Sequence, residues 1–185
     1  MKKVILSILD KIEEQKKEKR FFEKISFEQF EKDISKLLGT KLEEKEVKKI
    51  YENIDMPLRG TGSSAGYDFS SPIYFILKPG EKKVVPTGIK ASMNRDEALM
   101  IYVRSSVGFK YNVRLTNQVG VIDSDYYNND SNEGHIMISF QNHGEKDWVV
   151  DQKNKRVAQG VFAKYYTVRK ELNNKKRKGG IGSTN

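Results

Sequence analysis

Leu99-Met100-Ile101-Tyr102-Val103, followed without a break by Arg104-Ser105-Ser106-Val107-Gly108, decides the fold. A short apolar run rich in β-branched and aromatic side chains, ending on a polar glycine-bearing stretch, reads as a strand and the loop that leaves it. The pattern recurs on both sides, at Ile73 to Lys78, Lys83 to Val85, Ile89 to Met93, Tyr111 to Leu115, His135 to Gln141, Asp147 to Val150 and Arg156 to Val168. Many short strands between turn signals predict a mainly β sandwich or barrel, not a parallel α/β sheet.

Upstream of Met56 the apolar spacing is helical. Val4, Ile5, Ile8, Leu9 and Ile12 form one stripe. Ser26 with Gln29 has capping-box spacing ahead of Phe27, Phe30, Ile34, Leu37 and Leu38, and Gly39 stops that helix. Thr40 with Glu43 predicts a further start, with Val47, Ile50, Tyr51 and Ile54 inward and Pro57 beyond its end. The chain thus divides into a helical N-terminal extension over 1–55, a β core over 56–168 and a flexible tail over 169–185, where the apolar pattern stops.

A length of 185 residues bounds the answer to one ordinary domain with additions. With no cysteine, thiolate nucleophiles, disulfides and sulfur-based zinc sites are excluded, so any catalysis uses oxygen or nitrogen groups. The uncharged run Val4 to Leu9 is too short to span a membrane or to make a signal-peptide core, which predicts a soluble cytoplasmic protein with no membrane partner. The net charge is +9, and residues 164–185, with seven basic side chains against Glu171, carry six of those charges. A diffuse basic surface would suggest nucleic acid, whereas charge concentrated in a glycine-bearing tail serves a polyphosphate substrate or simply keeps the chain soluble.

Polar stretches between the strands carry the chemistry: Ser64-Ala65-Gly66-Tyr67-Asp68, Arg104 to Gly108, Asn117 to Tyr126, Arg156-Val157-Ala158-Gln159, and Gly179-Gly180-Ile181-Gly182-Ser183-Thr184. Taken singly, each is an ordinary turn or solvated end. Their order and spacing resemble the five motifs of the trimeric dUTPase family over roughly residues 56–185, and the long stretch Tyr127 to His135 resembles members from Gram-positive bacteria and their phages.

That resemblance implies a dUTPase-like distorted jelly-roll β-barrel, with Phe21 to Ile25 as an early core strand that the helices interrupt. It implies Mg2+-dependent hydrolysis of dUTP to dUMP and pyrophosphate, which limits uracil in DNA and supplies dUMP for dTTP synthesis. Asp123 matches the carboxylate that orients and deprotonates the attacking water, and Gln159 the glutamine that helps hold water and phosphates. Arg104, Ser105, Ser106 and Gly108 match the phosphate-binding loop. Asn117, with the backbone around Val119, Gly120, Val121 and Ile122, matches the hairpin that pairs with uracil, and Tyr126 the ring beneath the deoxyribose. Asp68 would reach Mg2+ through water.

In the tail, Gly180, Ile181, Gly182, Ser183 and Thr184 match the closing motif, with Ile181 where the family has a stacking phenylalanine and Lys176 where it has an arginine, Arg177 being one place late. The family assembles as a homotrimer with shared sites. Tyr127 to His135 is longer than the family's usual loop after the tyrosine.

Rival readings are weaker. A dCTP deaminase needs a glutamate shortly after the third motif, and His135 to Phe140 holds no carboxylate. Glu28/Glu31 and Glu43/Glu46 have metal-gathering spacing, but such pairs are common on solvated helices. The competing class is a dUTPase-like protein that binds a regulatory protein or nucleic acid through the N-terminal helices; the catalytic side chains favour the enzyme, and nucleic acid is the lesser partner.

Overall fold

The computed structural model describes residues 20–169, and the expected helix over Val4 to Ile12 and the final motif lie outside them. The architecture is mainly β. Twelve strands follow in order: β1 Phe21–Lys24, β2 Leu58–Arg59, β3 Tyr67–Ser70, β4 Phe75–Leu77, β5 Lys82–Pro86, β6 Ile89–Ser92, β7 Glu97–Val103, β8 Val113–Leu115, β9 Gly120–Asp123, β10 Met137–Asn142, β11 Trp148–Val150 and β12 Arg156–Lys164. The helices are α1 Phe27–Leu38, α2 Glu44–Glu52 and α3 Ser105–Tyr111, and a 3-10 turn spans Ser124–Tyr126.

Pairing is antiparallel throughout. The largest sheet has the order β2-β3-β12-β7-β9, a second β5-β10-β8, and two pairs, β1-β6 and β11-β4, complete the set. Leu99, Ile101, Phe69, Val157 and Phe140 are buried between them, and Trp148 stands edge-on to both Phe75 and Phe140. The helices are not a separate layer: Phe30, Ile34 and Val47 are fully buried in the same apolar cluster as the strands. Gly88 shows how close that packing is, since its backbone lies at φ +71 and a Cβ there would fall 2.3 Å from Ile54 Cδ1.

Ser26 caps α1, its Oγ accepting from Gln29 N at 3.1 Å, and Gly39 closes it in the left-handed region. Three local expectations differ. α2 starts at Glu44 with Glu43 as N-cap and no side-chain cap bond, so Thr40 is not the cap. Arg104 to Gly108, expected as a loop, enters α3, and Tyr111 ends that helix where a strand was expected. Burial of Val107 in the core fixes this turn in place, overriding the loop preference of Ser-Ser and Gly. β12 ends at Lys164, short of Val168. Among the described residues no helix is long and apolar enough to cross a membrane.

Candidate functional site

β3, β7 and β12 build one cleft. Gln159 on β12 lies opposite Asp68 on β3 and Tyr102 on β7, and directly opposed residues of antiparallel strands share a face, so the three side chains form one outward row. The cleft measures about 620 Å3 and is lined by Gly66, Asp68, Arg104, Ser105, Ser106 and Gln159 among others. The first, second and fourth polar stretches therefore meet within one chain. Gly66 makes the meeting possible: a Cβ there would fall 2.6 Å from Gln159 Oε1.

Charge in the cleft is paired through Asp68. Arg104 Nε donates to Asp68 Oδ1 at 2.9 Å, and Arg156 Nη1 lies 3.5 Å from Oδ2. Arg104 Nη1 also reaches Arg156 O at 3.5 Å. Asp68 thus acts first as the anchor that fixes two guanidiniums at the mouth of the cleft, a preorganised cationic wall for an anionic ligand. Arg104 and Ser106 also line a neighbouring cavity of about 400 Å3 with Lys110, Lys153, Lys155 and Arg156, which extends the positive surface.

Within α3, the hydroxyl-bearing Ser105 and Ser106 line the cleft, while Gly108 bonds through its N–H to Arg104 O and faces Val103. Ser105 and Ser106 thus line the cleft, and Gly108 is not among the residues that do.

The third stretch lies elsewhere on the same sheet. Gln118 turns at φ +63, Val119 N donates to Asn117 O at 2.7 Å, and β9 then pairs with β7, Gly120 opposite Ile101 and Asp123 opposite Ala98. Asp123 shares the outward face with Gln159, but Ala98 is four positions along β7 from Tyr102. At about 3.3 Å per residue that is a separation of about 13 Å along the strands. Asn117 and Asp123 are exposed. Tyr126 is buried, its hydroxyl donating to His135 O at 3.0 Å and accepting from Asn132 Nδ2 at 2.7 Å. Its own chain covers much of the ring.

Lys176, Arg177, Gly180, Ile181, Gly182, Ser183 and Thr184 lie outside the described residues. Among the described residues no three of His, Cys, Asp or Glu gather to hold a metal ion. Two site residues were not singled out in the sequence. Arg156 opens the Arg-Val-Ala-Gln string, and its position two residues before a strand-borne alanine and three before Gln159 was the available signal; Gly66, inside the first stretch, was visible only as a small residue.

The dUTPase family model matches residues 52–185. The deoxyuridine 5'-triphosphate nucleotidohydrolase of Lactococcus lactis is 45% identical over 138 residues, covering 72% of this chain and 91% of that one. That of Nautilia profundicola is 32% identical, covering 75% and 96%. The crystal structure of a dUTPase from Streptococcus mutans superposes with a TM-score of 0.58 at 40% identity, over 64% of this chain and 91% of that chain. A dUTPase from phage phi11 of S. aureus, described with a coordinated structural Mg(II) ion, shares the fold at TM-score 0.55 and 21% identity, over 67% and 92%.

Proposed function

The chain belongs to the dUTPase family and hydrolyses dUTP to dUMP and pyrophosphate, and we propose that it does so in the cytoplasm as a homotrimer whose sites are shared, Asp123 of one copy serving the cleft of another. The observation that supports this reading is the separation along β7. A general base must stand within hydrogen-bond reach of the water it activates, and about 13 Å of strand divides Asp123 from the Gln159 row of its own chain.

In this reading Arg104, Ser105 and Ser106 hold the phosphates, Gln159 positions the water, and Asp123 takes its proton. The water oxygen bonds to the α-phosphorus as the bond to the bridging oxygen breaks, and the electron pair leaves with pyrophosphate. Asn117 and the backbone of Val119, Gly120, Val121 and Ile122 read the uracil edge, and Tyr126 excludes a 2′-hydroxyl. The tail, from Lys176 and Arg177 to Thr184, closes over the triphosphate. Mg2+ fits a cleft of this kind: Asp68 lines it, and a carboxylate keeps lone pairs beyond those that face Arg104 and Arg156. When bound, the ion neutralises triphosphate charge while keeping waters and phosphate oxygens as most of its ligands.

Complementation tests the shared site. Asp123→Asn and Arg104→Ala chains are each expected to lose about two to four orders of magnitude in turnover. Unfolded together and refolded at equal ratio, they should regain activity, because about a quarter of the sites then combine an intact cleft with an intact Asp123. No recovery in mixed oligomers of confirmed composition would overturn the shared site; wild-type turnover in Asp123→Asn alone would overturn the base.

A further inference from the structure

The segment that follows Tyr126 folds back around that residue. Asn129 Nδ2 donates to Tyr126 O at 2.8 Å, and Asn132 Nδ2 reaches the Tyr126 hydroxyl, which itself donates to His135 O. Gly134 sits at φ +85, where a Cβ would fall 2.6 Å from Tyr126 O. Backbone and ring of Tyr126 are thus both fixed by residues 129–135.

The outer side of the same segment is tied to α1, about a hundred residues earlier in the chain. His135 is fully buried, and its Nε2 accepts from Gly88 N–H at 2.8 Å. A backbone N–H can only donate, so a neutral ring carries its proton on Nδ1, which then donates to Asp33 Oδ2 at 2.7 Å. The Glu133 carboxylate accepts from Ser26 N–H at 2.9 Å and from Ser26 Oγ–H at 2.5 Å, and Ser26 is the residue that caps α1. Lys90 lies 3.7 Å from Glu133 and donates to Asn128 Oδ1 at 2.7 Å.

Anchoring α1 to the core does not require these polar groups, because Phe30 and Ile34 already do that with fully buried side chains. A carboxylate left 8% exposed in such a place costs stability unless it is bonded. Burial pushes the Asp33 carboxyl up, but the hydrogen bond with His135 leads the effects that more than offset this and hold it below the ordinary carboxylate value. It is therefore an anion at neutral pH, and what it holds is the imidazole of the residue whose carbonyl receives the Tyr126 hydroxyl.

We propose that Asp33, with Glu133 in support, is a positioning residue for nucleotide selection: through His135 it sets where the Tyr126 ring stands, and hence how strictly the site rejects a ribose. The inference rests on the reading of Tyr126 as the sugar-contacting side chain. Small displacements suffice, since sub-ångström placement governs a steric filter.

The test is the ratio of kcat/KM for dUTP over UTP, measured with thermal melting on the full chain, for Asp33→Leu, Asp33→Asn, Glu133→Gln and Tyr126→Ala. Asp33→Leu should lower the ratio by about tenfold, chiefly by raising KM for dUTP, while Asp33→Asn, whose Oδ1 still accepts from Nδ1–H, stays within about twofold of wild type. Glu133→Gln, at a half-buried surface position, should fall between them, because the amide keeps only one of the two oxygens that separately accept from Ser26 N–H and Ser26 Oγ–H.

A folded Asp33→Leu that melts lower but keeps the wild-type ratio overturns the proposal. Should that variant fail to fold, an unchanged ratio in Glu133→Gln does the same. Tyr126→Ala separates the two levels: if it shifts the ratio and the others do not, only the positioning role falls; if it leaves the ratio unchanged, the reading of Tyr126 falls and takes the positioning role with it.

Discussion

Gly66→Ala perturbs catalysis without perturbing the fold. Gly66 is not among the positive-φ glycines, so its backbone suits alanine. The added Cβ would lie 2.6 Å from Gln159 Oε1, 3.3 Å from its Cβ and 3.4 Å from its Cδ. To regain ordinary contact, which begins near 3.4 Å, the carboxamide must retreat by about 0.8 Å. Because that oxygen ends a flexible side chain, folding costs little, and the entropy that alanine removes from the unfolded chain, about 0.4–1 kcal/mol, offsets it. Chemistry is less forgiving. A misplacement of about 1 Å in a positioning group costs on the order of a hundredfold, or about 2.7 kcal/mol of barrier. We expect kcat for pyrophosphate release from dUTP to fall by about 30- to 100-fold, with melting temperature within about 2 °C of wild type. Gly62→Ala is the control, having nothing within 4 Å of its added Cβ. Wild-type kcat in Gly66→Ala would refute the placement of Gln159 as a group whose position limits turnover.

Two further outcomes follow. Hydrogen bonds from Arg20 hold the Glu97 carboxyl below its ordinary value of 4.5, so its stabilisation is present above that pH and lost as pH falls through the lower folded value; Glu97→Gln should cost about 1–3 kcal/mol at pH 7 and progressively less below pH 4.5, and a cost independent of pH in chemical denaturation would contradict this. Deletion of residues 173–185 should sharply lower dUTP turnover with an unchanged melting temperature, and full turnover in the truncated chain would remove the tail from the mechanism.

The strands were legible because a local pattern survives in the sequence, alternation in Ile89 to Ser92 and a short continuous apolar run in Leu99 to Val103. α1 was legible because Ser26, Gln29 and Gly39 are all local signals. Where a distant contact decides, the sequence was silent or misleading. Val107 becomes helical because the core receives it, and the start of α2 moves to Glu44 in spite of the Thr40 signal. β1 is only four residues long, and its partner β6 lies some 65 positions away, so no period announces it and only the family resemblance pointed to a strand at Phe21 to Ile25. The site divides the same way. Its polar strings are contiguous and could be recognised as strings, but which of them meet depends on register. Gln159 faces Asp68 because of one strand offset, and Asp123 misses them both because of another.

That offset also explains why the two halves of the site suit an assembly. Between the Gln159 row and Asp123, the outward face of the large sheet carries Val161, Met100 and Val121, mutually opposed across β12, β7 and β9. Val121 is 55% exposed, so this strip leaves apolar surface uncovered in a single chain. β9 is also the outermost strand of its sheet, with one side open to pairing or cover. In the proposed homotrimer a neighbouring copy that covers this strip removes apolar area and an open edge from water, and it does so between a cleft that lacks a base and a base that lacks a cleft. Stability and catalysis are then satisfied by the same contact. A substitution that charges the strip, such as Val121→Lys, is therefore expected to dissociate the oligomer and abolish turnover together, with Asp123, Gln159 and Arg104 all left in place.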